Sequence, residues 1–183
     1  FPEIDPVKYA FLGPLVGALV RPLGGWVSDK IKSGALITQL VFAGMIVAVI
    51  GVISFLPSDG QGGNFWGFFA CFIALFALTG LGNGSTFMQV PVIFMNMHQK
   101  FAQQGLVSEE QARLDATKEG AAVIGFTAAF AAYGGFFIPK SYGTSIDLTG
   151  SVNAALIGFI LFYVLCLALN WWYYARKNAE AKC

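Results

Sequence analysis

The sequence predicts an all-α, polytopic membrane bundle of five transmembrane helices occupying residues 1–183 as one unit. Three observations predict it. Of the residues, 56% are hydrophobic and only 11% charged, a balance far from that of a soluble domain. The apolar residues gather into five runs, each near the roughly 20 residues a span needs. The Lys and Arg residues crowd into the connections between runs, on alternate sides, as the bias of basic loops toward the cytoplasm requires. The formal net charge of +1 offers no support for binding nucleic acid.

The runs are taken in order. The first, 9–28, holds Arg21 as its only charged residue. A charge at mid-span costs about 2.5 to 3.5 kcal/mol on insertion scales, so it marks a functional site and faces a cavity or a partner. The second run is 35–56. The third, 65–97, has no charge from Gln61 to Met97 and is too long for one straight crossing, so it tilts, kinks near Pro91 or continues past the membrane surface. A polar connector, 98–119, follows. Within it Ser108-Glu109-Glu110-Gln111 matches a capping box, with Ser108 capping a backbone N–H and Gln111 reaching back. That predicts a short surface helix from Glu109 to Lys118. His98, at its edge, reads as an interfacial residue, with a proton-relay role left open. The fourth run is 120–139 and the fifth 152–174, ending in the aromatic belt Trp171-Trp172-Tyr173-Tyr174 before Arg176.

Counting basic residues by side gives Lys30, Lys32, Lys100, Arg113, Lys118, Arg176, Lys177 and Lys182 against Lys8 and Lys140. The expected orientation puts the N-terminus of the segment outside and its C-terminus in the cytoplasm. Residue 1 is not Met, and the first run, with Arg21, Pro14 and Pro22, is unlike a cleavable signal, so the chain reads as one piece of something longer.

Hydrolytic triads, phosphate loops and clustered metal ligands are missing from the sequence, which points away from catalysis and from a cofactor. Cys71, Cys166 and Cys183 have neither disulfide nor metal spacing and read as packing residues. Transport remains, and its informative residues are polar groups inside spans: Arg21, Thr38, Gln39, Thr79, Asn83, Ser85, Thr86, Gln89, Thr127 and Asn153. Only Arg21 is charged. Asp29 lies about 12 Å further along a straight helix, too far for a direct pair. A planar guanidinium suits a planar oxyanion bidentately. From the residues alone, four readings stay open: an anion site, snorkelling to the surface, an acid elsewhere, or capping of carbonyls freed by Pro22. The fourth run alternates Gly120, Gly125, Gly134 and Gly135 with Phe126, Phe130, Tyr133, Phe136 and Phe137, as a helix lining a narrow pathway would.

Two motifs resemble those of a known family. Gly25-Trp26-Val27-Ser28-Asp29-Lys30, closing a span, is similar to the conformational loop motif of the major facilitator superfamily. The stretch Gly120 to Phe130, running on to Pro139, resembles the nitrate signature of that superfamily's nitrate/nitrite porter family. The resemblance covers essentially the whole chain. It implies helices 8 to 12 of a twelve-helix fold, with the C-terminal half lacking its first helix, in a bacterial inner membrane. It implies that Arg21 is one of two arginines gripping nitrate or nitrite. Gly120, Gly125, Phe126, Thr127, Phe130, Gly134 and Gly135 then line the gate or pathway, with Asn83 a further polar group on it. The implied partners are the two anions, the lipid bilayer and the N-terminal half of the same transporter. Other readings are a superfamily member for another small anion or an organic acid, and a non-transporting membrane subunit.

Overall fold

The computed structural model describes residues 1, 4–5, 7–31, 33–57 and 62–176. Lys32, Lys177, Lys182 and Cys183 lie outside the described residues. In chain order the helices are α1 (Val7–Ala10), α2 (Leu12–Ile31), α3 (Gly34–Phe55), α4 (Phe65–Gln103), α5 (Glu109–Ala132), α6 (Gly134–Thr149) and α7 (Asn153–Asn170), then a π-helical turn, Trp171–Ala175. Three of the junctions are so short that five helices result, each long and apolar enough to cross a membrane: Val7–Ile31, Gly34–Phe55, Phe65–Gln103, Glu109–Thr149 and Asn153–Ala175.

The core forms around α3, which is apolar on every face and therefore buried between neighbours. Its Ile37, Val41 and Met45 pack with Val27 of α2, Leu75, Leu78 and Leu81 of α4 and Tyr163 of α7. Nearer its C-terminus, Val49 and Val52 meet Leu156 of α7 and Phe68 and Phe72 of α4. Glycines set the register on both sides of α4. On α3 they run antiparallel to it: Gly34 lies against Gln89, Gly44 against Leu78 and Gly51 against Cys71. On α2 the match is parallel and steps by four on each helix: Gly13 at Phe76, Gly17 at Gly80, Arg21 at Gly84, Gly25 at Met88. Small residues at this spacing occupy one helical stripe, so the two backbones approach closely along it.

Polar side chains tie the same end of the bundle together. Ser85 Oγ donates to the Gly34 carbonyl at 3.2 Å and sits 3.4 Å from Ser28 Oγ. Gln89 Nε2 donates to Thr38 Oγ1 at 3.2 Å. Asn170 Nδ2, on α7, donates to the Ala35 carbonyl at 2.9 Å and to Gln39 Oε1 at 2.8 Å.

Three sequence expectations need correction. Of the readings open for the third run, the structure has the helix continuing, so only the expected end at residue 97 is corrected: α4 is one helix of 39 residues that includes Pro91. Gln89 is level with the α2–α3 turn, so residues 90–103 project about 20 Å beyond it. The connector 98–119 is not a connector with its own short helix. Only residues 104–108 turn the chain, and α5 runs from Glu109 through Gly120 without a break. Gly120 costs a helix about 1 kcal/mol relative to Ala, which burial against α4 offsets. The capping box is half formed: Ser108 Oγ accepts from Gln111 N at 3.2 Å, but the Gln111 side chain turns to Asp115, at 2.9 and 3.0 Å. Finally, Pro139 does not end the fourth run. Helix α6 continues to Thr149 and stops at Gly150, whose φ of 71° is the left-handed conformation of a glycine cap.

Candidate functional site

Hydrogen bonds between or within helices account for six of the ten polar residues within the spans. Thr38, Gln39, Ser85 and Gln89 belong to the cross-links above. Thr79 Oγ1 and Thr86 Oγ1 each donate to a carbonyl of their own helix, Leu75 and Gly82, at 2.8 Å. The groups without such a role are Arg21, Asn83, Thr127 and Asn153. The side-chain amide oxygen of Asn83, Oδ1, is buried with no hydrogen-bond partner among the described residues. Such an atom costs about 1 to 3 kcal/mol unless water, ligand or further protein satisfies it.

Arg21 is exposed on α2. The ion pair found among the described residues is His98–Glu119, and Arg21 makes no hydrogen bond with them either. It therefore does not cap the carbonyl freed by Pro22. Its backbone, in contrast, is tightly held. A Cβ built on Gly84 would overlap the Arg21 carbonyl oxygen and stand 3.1 Å from the Arg21 carbonyl carbon and 3.0 Å from Gly25 N. Asn83 is the next residue on α4, so the orphan oxygen and the arginine backbone share one level of the bundle.

The loop motif lies below. Gly25 packs on Met88 Cγ at 3.4 Å. Lys30 Nζ stands 4.4 Å above the Trp26 ring, a cation–π contact one turn apart on α2. Asp29, exposed, lines a cavity of about 240 Å³ with Ser28, Ser33, Gly34, Met88, Gln89 and Val92.

The glycine-aromatic helix divides into two parts. Its lower part packs on α4 through buried Ala112, Ala116 and Gly120, a Gly120 Cβ coming 3.8 Å from Pro91 Cα and 3.9 Å from Phe94 Cβ. At this contact His98 Nε2 lies 3.0 Å from Glu119 Oε2. Its upper part leaves the bundle. Gly125 and Gly135 face open space, and Gly134 meets only Ile138 of its own helix, at 3.9 Å. Phe126, Phe130, Tyr133, Phe136 and Phe137 are all at least 59% exposed. Phe126, Phe130 and Tyr133 form a ladder, with ring centroids 5.2 and 6.2 Å apart. Thr127 is exposed on the same segment. Gly84 lies about 13 Å up α4 from the Gly120 contact, and an equal rise on α5 reaches residues 128–129. Thr127 and Phe130 are thus about as far along α5 from that contact as Gly84, beside the Arg21 backbone, is along α4.

Sequence reading passed over Asn170 and the partner of His98. The signal for the first was an amide at the end of an apolar run. For the second there was none, because residues 98 and 119 meet only once the chain turns at 104–108.

No family model matches the chain. Its similarity to known proteins is nevertheless extensive. It is 40% identical over all 183 residues to nitrate/nitrite transporter NarU of Escherichia coli, of which it covers 39%. It is 42% identical over 181 residues, 98% of the chain, to NarU of Salmonella typhimurium, covering 38% of that protein. The chain is thus similar, over nearly its whole length, to proteins named as nitrate/nitrite transporters. A third homologue, the probable nitrate/nitrite antiporter NarK2 of Thermus thermophilus, is 35% identical over 179 residues, with 98% of the chain and 35% of the relative covered. The chain spans a little under two fifths of the length of these relatives.

Proposed function

We propose that this chain is the C-terminal part of a nitrate/nitrite exchanger and that Arg21 is one of its anion-binding arginines. The five spans correspond to helices 8 to 12 of a twelve-helix transporter, with a second arginine supplied by the N-terminal half. Arg21 carries the reading: a guanidinium on a span helix, unpaired within the described residues, in a chain 40% identical to a protein named for nitrate and nitrite transport. A desolvated cation without a counter-charge is costly, and a planar anion accepting two parallel N–H bonds removes that cost. Thr127 and Phe130 stand on the helix that closes the pathway, and the glycines at 125, 134 and 135 leave room for it to move. The loop motif Gly25, Asp29 and Lys30 lies at the cytoplasmic end, and the segment's N-terminus faces the periplasm of a bacterial inner membrane.

Exchange follows from the charges. With the site empty, two arginines repel each other; with nitrate or nitrite bound, the pair is part-neutralised and the halves rock about it. Among the described residues no carboxylate pairs with Arg21 to carry a proton in place of the anion. The complete transporter in proteoliposomes tests this. Nitrate uptake is expected only when nitrite or nitrate is loaded inside, and uptake into empty vesicles driven by a proton gradient would overturn it.

A further inference from the structure

We infer that Gly84 is a positioning residue for Arg21, setting the depth at which the guanidinium meets the anion. The inference rests on the anion-site reading of Arg21 and adds a residue to it. Where a glycine Cβ would fall, one of its α-hydrogens points instead. That hydrogen of Gly84 is aimed at the Arg21 carbonyl oxygen, with the Arg21 carbonyl carbon 3.1 Å and Gly25 N 3.0 Å from the would-be Cβ. Carbonyl and amide are the two ends of one i→i+4 helical bond, so a single glycine on α4 buttresses the peptide units of both Arg21 and the loop-motif Gly25. Contacts of this Cα–H···O kind are typical of close helix crossings.

Gly80 and Gly24 meet backbone across the same seam, at Gly17 and Leu81, whereas glycines at the α3–α4 contact differ in what they touch. At Gly82, the nearest atom is Val41 Cγ1, 2.9 Å away; at Gly44, the Leu78 methyls, 3.2 Å away. These are side-chain ends that can rotate aside. At Gly84 the obstacle is backbone within a helix, so a methyl there can be accommodated only by moving α2. Pro22, the residue after Arg21, leaves that turn one hydrogen bond short, and the packed glycine replaces part of the missing restraint. Asn83, the residue before Gly84, has a buried side-chain amide oxygen with no partner among the described residues, so the same turn of α4 carries a polar group facing no described protein partner.

The test compares variants of the complete transporter in proteoliposomes, scored by nitrate KM, kcat and thermal unfolding without nitrate. Gly84→Ala is expected to raise nitrate KM by on the order of tenfold, since displacements near 1 Å at a binding group have effects of this size or more. Gly82→Ala, two residues away on the α3 side, is expected to leave KM within about twofold of wild type. An unchanged KM in Gly84→Ala, or an equal rise in Gly82→Ala, overturns the proposal. Should Gly84→Ala fail to accumulate, Gly17→Ala presses the same seam more gently, its Cβ 3.2 Å from the Phe76 carbonyl oxygen. It is expected to raise KM about threefold, and no rise there contradicts the proposal. Arg21→Lys separates the two readings: if it leaves nitrate KM unchanged, the anion site itself fails, whereas loss in Arg21→Lys with no effect in Gly84→Ala removes only the positioning role.

Discussion

Asn170 and Arg21 show how alike two polar residues look in a sequence and how differently a bundle can treat them. Asn170 is 7% exposed and donates to Ala35 and Gln39, so it fastens the end of α7 to the start of α3. Replacing it by Ala removes the donor from the part-buried Gln39 Oε1 and the second donor from the Ala35 carbonyl, which keeps its helical bond, and should cost about 1 to 2 kcal/mol of stability with nitrate KM unchanged. Thermal unfolding in detergent beside a transport assay checks both halves of that statement. Arg21 has no such fastening. The sequence isolates it as a charge inside a run, because no other residue type is so expensive there. That Asp29 lies too far along the helix to pair with it was legible too; that no other acid among the described residues approaches it depends on helix packing.

Among the elements, the helix from Glu109 to Thr149 departs most from its sequence reading. Periodicity marks Gly120 and Pro139 as boundaries, yet both fall inside helix because packing at the first and the small Gly135 four residues before the second permit it. The irregularity instead falls at Tyr133, where its N–H donates to Phe130 at 3.1 Å, an i→i+3 bond before Gly134 and Gly135. Stiffening this joint by Gly134→Ala with Gly135→Ala favours straight helix by about 0.5 to 1 kcal/mol per site. Turnover should fall several-fold while nitrate KM stays near wild type; equal kcat would deny the joint a part in gating. The lower half of the helix is held to α4 by His98, whose side chain is 9% exposed, against Glu119, 52% exposed. His98→Ala should therefore destabilise by about 1 to 2 kcal/mol and Glu119→Gln by less, because water reaches the carboxylate.

At the scale of the molecule, the fold class was legible from hydropathy alone, because a bilayer admits few arrangements of apolar runs this long. Register and depth were not. They come from glycine-to-backbone contacts between α2 and α4, which a list of glycines does not pair. The continuation of α4 past the α2–α3 turn was one of the readings its length left open, and a helix starting at Glu109 was marked by Ser108; what stayed hidden was that this helix runs unbroken into the fourth span. The orientation inferred from basic residues makes its own prediction for the complete transporter. Lys118→Cys should react with a membrane-impermeant maleimide from the cytoplasmic side and Lys140→Cys from the opposite side, and the reverse pattern would invert the topology.

Nitrate binding by the complete transporter, measured calorimetrically for wild type and Arg21→Lys, tests the central claim most directly. Lysine keeps the charge and loses the planar fork, so affinity should drop by about thirtyfold, about 2 kcal/mol. Wild-type affinity in Arg21→Lys would show that the residue supplies only charge and that nitrate is gripped elsewhere.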